Sequence, residues 1–120
     1  MPMPRKTRLM ALVGPLTGER QVVQTAVHPL RPDQMLPLAD VVLLVSDDGE
    51  SAMVFRYTAH GEFGGDTYHA SIADAKEAVE AEYPDALSGW EEVPDDVEDA
   101  HALAIRYAYD RLNDHGRGYD

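Results

Sequence analysis

Three residues of this chain have side chains that commonly work together on a metal: His60, Asp66 and His69. Imidazole and carboxylate together bind zinc or iron, and a strand–turn–strand layout brings such residues near one another. That arrangement would make the chain a small metal-assisted hydrolase. The spacing matches none of the dense metal motifs, such as His-Glu-x-x-His on a helix. Asp66 and His69 are three apart, so on a strand they point to opposite faces unless a bulge intervenes. An exposed histidine and a turn-capping aspartate account for the same residues without a metal.

A second group is Asp95, Asp96, Glu98 and Asp99, followed by His101. Paired carboxylates perform acid–base work or hold magnesium. On a helix Asp95 and Asp99 lie one turn apart, and Glu98 and His101 nearly so. These residues also crowd an expected helix N-terminus, where negative charge is stabilising with no ligand at all. Ser46, Ser51, Ser71 and Ser88 lack a Gly-x-Ser-x-Gly setting. Gly61-Glu62-Phe63-Gly64-Gly65 lacks the Lys-Ser/Thr of a phosphate loop and carries an acid that would repel phosphate. The sequence therefore yields no catalytic set and no cofactor motif. Trp90, the single tryptophan, suits a half-buried place beside the first helix better than an interface anchor.

The elements that hold these residues follow from periodicity. Leu9 to Val13 is a short apolar run stopped by Gly14-Pro15, as expected of a strand. Gln21 to Val27 has β-rich composition, and prolines at 29, 32 and 37 make 28 to 38 an ordered loop. Val41 to Val45 is a continuous β-branched and leucine run, expected to be buried on both faces. After the turn Ser46 to Glu50, Met53, Phe55 and Tyr57 alternate with Val54, Arg56 and Thr58, completing a hairpin. A turn over His60 to Gly65 leads to a third strand, 66 to 70, and the three strands form a meander.

Ser71 is a good N-cap for a helix ended by Pro84, with Ile72, Ala75, Val79 and Tyr83 on one face. Trp90 to Val93 suits a short edge strand. A longer helix is expected from Pro94, its stripe formed by Val97, Ala100, Ala104, Tyr107, Ala108 and Leu112, widened by Ile105 and Tyr109. A stripe so broad must be covered by the sheet or by a second copy. Gly116 is its expected C-cap. The expected architecture is a single α+β domain over 1–120, with loose tails at 1–6 and 117–120. Its antiparallel sheet has four or five strands packed against two helices, at about 71–83 and 94–114.

Composition narrows the function classes. A chain of 120 residues accommodates one core. With no cysteine, disulfides, thiolate metal sites and a cysteine nucleophile are excluded, and a reducing cytoplasm is favoured. The run after Arg8 is too short for an export signal, and no segment approaches the length of a membrane span. The net charge is −12, and 21 of the 22 acids follow Pro32, whereas Arg5, Lys6, Arg8, Arg20 and Arg31 precede it. Such a field disfavours nucleic acid and anionic membranes and attracts basic proteins. The expected partners are a basic protein, or a second copy through the last helix.

The stretch from Phe55-Arg56-Tyr57-Thr58 through Gly61-Glu62-Phe63-Gly64-Gly65-Asp66-Thr67-Tyr68-His69 to Ser71 and Asp74-Ala75-Lys76, with Trp90-Glu91-Glu92-Val93-Pro94 beyond, resembles a group of small uncharacterised bacterial proteins. In these a strand, a Gly-Asp-Thr-aromatic-His segment and an acidic Ala-Lys helix occur in that order. The resemblance covers about residues 53 to 94. It implies a bacterial cytoplasmic origin and the strand–strand–helix order, and brings no activity with it. The same stretch is similar to HicB-type antitoxins, which also run from a strand through Gly-Asp-Thr into an Ala-rich acidic helix. Here Tyr68-His69-Ala70-Ser71 intervenes before the helix, and the hairpin lacks the usual proline-rich turn. The acidity, the lack of a catalytic set and the broad apolar stripe of the last helix favour a non-enzymatic binding or regulatory module, of antitoxin or immunity type, with the metal-assisted hydrolase as the alternative.

Overall fold

A computed structural model describes residues 6–14, 22–23, 36–37 and 39–116. The elements in chain order are β1 (Thr7–Leu12), β2 (Val22–Val23), β3 (Leu36–Pro37), β4 (Val41–Ser46), β5 (Ala52–Tyr57), β6 (Phe63–His69), α1 (Ile72–Glu82), β7 (Glu91–Glu92) and α2 (Ala100–Gly116). Five strands form one antiparallel sheet in the order β6-β5-β4-β1-β7, and β2 pairs with β3 in a small ribbon of its own. The fold is α+β, as the sequence pattern requires. Most of the expected strand at 21–27 and loop at 28–38, together with the tails at 1–5 and 117–120, lies outside the described residues.

The unbroken apolar run of β4 takes the middle of the sheet because both of its faces are covered. Val42 and Leu44 join one cluster with Leu9, Ala11, Val13, Ala52, Val54, Ala75 and Val79. Val41 and Leu43 join the other with Met10, Ala59, Val93, Ala100, Ala104 and Ala108. Helix α1 therefore closes one face and α2 the other. The expected edge strand near Trp90 is β7, which pairs with β1 at Leu9 and Met10. Turn chemistry closes the β4–β5 hairpin: Gly49 takes φ 77°, and Asp48 Oδ1 accepts from the Glu50 and Ser51 N–H groups at 2.8 and 3.0 Å.

The alternation predicted for β5 is present, and its more buried side is the one that carries Arg56. Ala52, Val54 and Arg56 are buried, whereas Met53, Phe55 and Tyr57 are half-buried. Burying a guanidinium requires a partner. Arg56 finds Glu82 at the end of α1, donating from Nε to Oε2 at 2.9 Å and from Nη2 to Oε1 at 2.7 Å. Its Nη1 reaches Thr67 Oγ1 at 3.3 Å. The fork thereby ties α1 to β5 and β6.

Helix α1 follows its sequence signals. Ser71 Oγ accepts from the Asp74 N–H at 2.9 Å, and the helix ends at Glu82, just ahead of Pro84. Trp90 is half-buried against this side of the core, beside Tyr83, Ala86 and Leu87. Helix α2 begins at Ala100, six residues later than its sequence signals indicate. Arg8 explains the delay: it donates from Nη1 to Val97 O and from Nη2 to Pro94 O, both at 2.7 Å. The Val97 N–H closes a turn on Pro94 O at 3.1 Å. These carbonyls are thus committed before a helix could use them. Asp99 caps instead, its Oδ1 accepting from the Ala102 N–H at 3.0 Å. The stripe of α2 meets the sheet through Ala100, Ala104 and Ala108.

Candidate functional site

The structure separates the three residues with metal-binding side chains. Asp66 stands opposite Phe55 on the α2 side of the sheet, and His69 stands opposite Ala52 on the α1 side. Residues three apart on a regular strand face opposite ways. His69 Nε2 lies 2.8 Å from Thr67 Oγ1. His60 is exposed in the turn before β6, its ring edge-on to Tyr109 of α2 with centroids 6.0 Å apart. Among the described residues no group of three or more His, Asp or Glu side chains is placed to hold a metal ion.

The acidic run also divides. Asp95, Asp96 and Glu98 are exposed in the segment that Arg8 pins, in an open cleft with Lys6. Asp99 serves as the helix cap. His101 joins a group that the sequence reading missed. Its Nδ1 lies 2.6 Å from the Tyr57 hydroxyl, and its ring packs edge-on against Phe55 at 4.6 Å and Tyr57 at 5.7 Å. Burial, then the carboxylates of Asp99 and Asp66, raise the Tyr57 pKa. The phenol therefore stays protonated, and it shares one hydrogen bond with His101 Nδ1 whose direction depends on the imidazole tautomer. A tyrosine used as a nucleophile or base would need the opposite shift. This pair fastens α2 to the sheet.

Beside it lies a surface built by a β-bulge. The β5–β6 ladder runs Ala52↔His69, Met53↔Tyr68, Val54↔Thr67 and Phe55↔Asp66, then jumps to Tyr57↔Phe63. Gly64 and Gly65 together oppose the single residue Arg56, and Gly65 takes φ 103°. Such a two-against-one step reverses the parity of the strand. Phe63 consequently shares a face with Asp66 and Tyr68, though the numbers alone place it on the other. Phe63 is 48% exposed and Tyr68 67%. The Asp66 carboxylate makes no hydrogen bond or ion pair with another described residue.

The helices leave this row open. α1 packs over β5 and β6 on its side, whereas α2 packs over β4 and β1 on the other. The α2 side of β6 thus extends beyond its helix, bordered by the first turn of α2 with Asp99 and His101, and β3 also lies against β6. The arrangement is an aromatic–carboxylate–aromatic row suited to binding a cation-bearing surface. A glycine pair inside a strand was the sequence signal for the bulge. No protein family, curated protein or solved structure matches the chain, and no helix among the described residues is long and apolar enough to cross a membrane.

Proposed function

We propose that the chain is a non-enzymatic binding module that captures a basic protein partner in a regulatory role of antitoxin or immunity type. The observation that carries this reading is the half-face of the sheet beyond α2, where Phe63 and Tyr68 are exposed on either side of Asp66. Exposed aromatics are the side chains that anchor protein interfaces, and the net charge of −12 selects a cationic counterpart. The resemblance of residues 53 to 94 to small bacterial proteins, and the lack of cysteine, support a bacterial cytoplasmic setting.

The test is purification from source cells at low ionic strength, with any retained protein identified by mass spectrometry. A basic partner in defined stoichiometry that is released as salt rises is the expected result. A chain that retains no partner and stays monomeric at every ionic strength contradicts it. Self-association through α2 is the second reading, favoured by Tyr109, 44% exposed beside Ile105 on that helix. A salt-insensitive dimer would support it instead.

A further inference from the structure

We infer that a second copy of the chain docks on the outer face of α2, with the two α2 helices crossing antiparallel about a two-fold axis at the height of Ala108. This rests on the self-association reading above, and it names the contacts and the geometry of that dimer.

Helical spacing builds the face. Ala102, Ile105, Arg106 and Tyr109 lie three or four residues apart in turn, so they share one side of α2, opposite the Ala100, Ala104 and Ala108 stripe that meets the sheet. Together with His60 and Asp110 they line an open groove. Ile105 is half-buried there, and Ala102, Arg106, Tyr109 and Asp110 are exposed. The Tyr109 ring stands edge-on to His60 with centroids 6.0 Å apart. An anchoring aromatic is therefore in position before anything docks.

Charge selects the occupant. The two formally charged side chains of the groove, Arg106 and Asp110, cancel, whereas the whole chain carries −12. A basic partner gains nothing from a balanced surface, and an apolar one would cover both charges without pairing them. Two acidic copies repel each other overall, and a face whose charges cancel is where they meet at least cost. A second copy also brings the matching charges in reverse order. The axis sets Arg106 opposite the partner's Asp110 and Asp110 opposite the partner's Arg106, and it brings the two Tyr109 rings together near the centre. Within one chain the two charges form an exposed i,i+4 pair at 3.8 Å, a contact of little worth that leaves both free to re-pair.

The test is sedimentation equilibrium of the full chain from about 10 μM to about 1 mM, the affinity range of a small interface. A monomer–dimer equilibrium is expected. It should persist as ionic strength rises, because salt weakens the ion pairs and also screens the repulsion between copies. Arg106→Asp and Asp110→Arg each set like charges opposite one another twice, and each should weaken self-association at least roughly tenfold. Mixed one to one, the two variants should form a dimer with each other, since every Asp then faces an Arg across the axis. That restoration arises between chains, and thermal melts check that each variant is folded. Tyr109→Ser should weaken the dimer as well. A dimer that weakens with Tyr109→Ser but ignores both charge changes, or is not restored by mixing, overturns the antiparallel pairing and leaves self-association through α2 standing. A chain that stays monomeric throughout, or a dimer that none of these substitutions alters, overturns both.

Discussion

Arg56 and Glu82 meet across the space between the sheet and α1, and the arginine side of that pair is almost fully enclosed, with 7% of the residue exposed. Replacing Arg56 by Met removes the fork that joins α1 to β5 and strands Glu82 at the edge of the apolar cluster. Because the Glu82 side chain keeps 33% of its exposure, the cost should sit near the lower end for a broken buried pair, about 3 kcal/mol by urea unfolding. Tyr83 adjoins the same pair. Burial first, and then the charge of Glu82, raise its pKa, so the folded state favours the protonated phenol. The stability that this shift contributes is complete below the unfolded tyrosine value of about 10 and is lost as pH rises above it. Tyr57 shifts in the same direction. Unfolding midpoints should therefore fall above about pH 10, and Tyr83→Phe should flatten that fall, as thermal melts across the alkaline range will show.

Strand β6 depends on its glycine pair. Gly65 at φ 103° lies where a Cβ is strained, so Gly65→Ala should cost about 1–3 kcal/mol and disturb the alignment of Phe63 with Asp66. Gly89→Ala is the natural control, since an added Cβ there meets nothing within 4 Å. Thermal unfolding of the two variants, with the ring shifts of Phe63, checks both claims. Much of the framework was legible in the sequence: the Val41 to Val45 run, the Asp-Gly turn after it, the Ser71 cap and the Pro84 stop are local signals, and each has its expected effect. The start of α2 was not, because Arg8 lies 89 residues from the carbonyl of Val97 that it holds. The burial of Arg56 depends likewise on Glu82, 26 residues away. The open row was hidden for another reason. Gly64-Gly65 reads as turn composition, and only the register of β5 against β6 shows that two residues oppose one.

The two helices cover the sheet unequally, and this asymmetry, with the charge, defines the molecule. Face against face, α1 reaches β6 and α2 stops short of it. In the proposed binding role the acidic field would draw in a basic partner from a distance and be screened by salt, and the aromatic–carboxylate row would give the contact a location. Bulk charge and a located site are separated by one comparison. Asp66→Lys and Glu80→Lys alter the net charge equally, but Asp66 lies in the open row and Glu80 is exposed on α1 across the sheet. The decisive measurement is the affinity of the two variants for the co-purified basic partner at one ionic strength. The docking account predicts that Asp66→Lys loses binding at least tenfold more than Glu80→Lys, a difference of about 1.4 kcal/mol. Equal losses, or none in either variant, would contradict it.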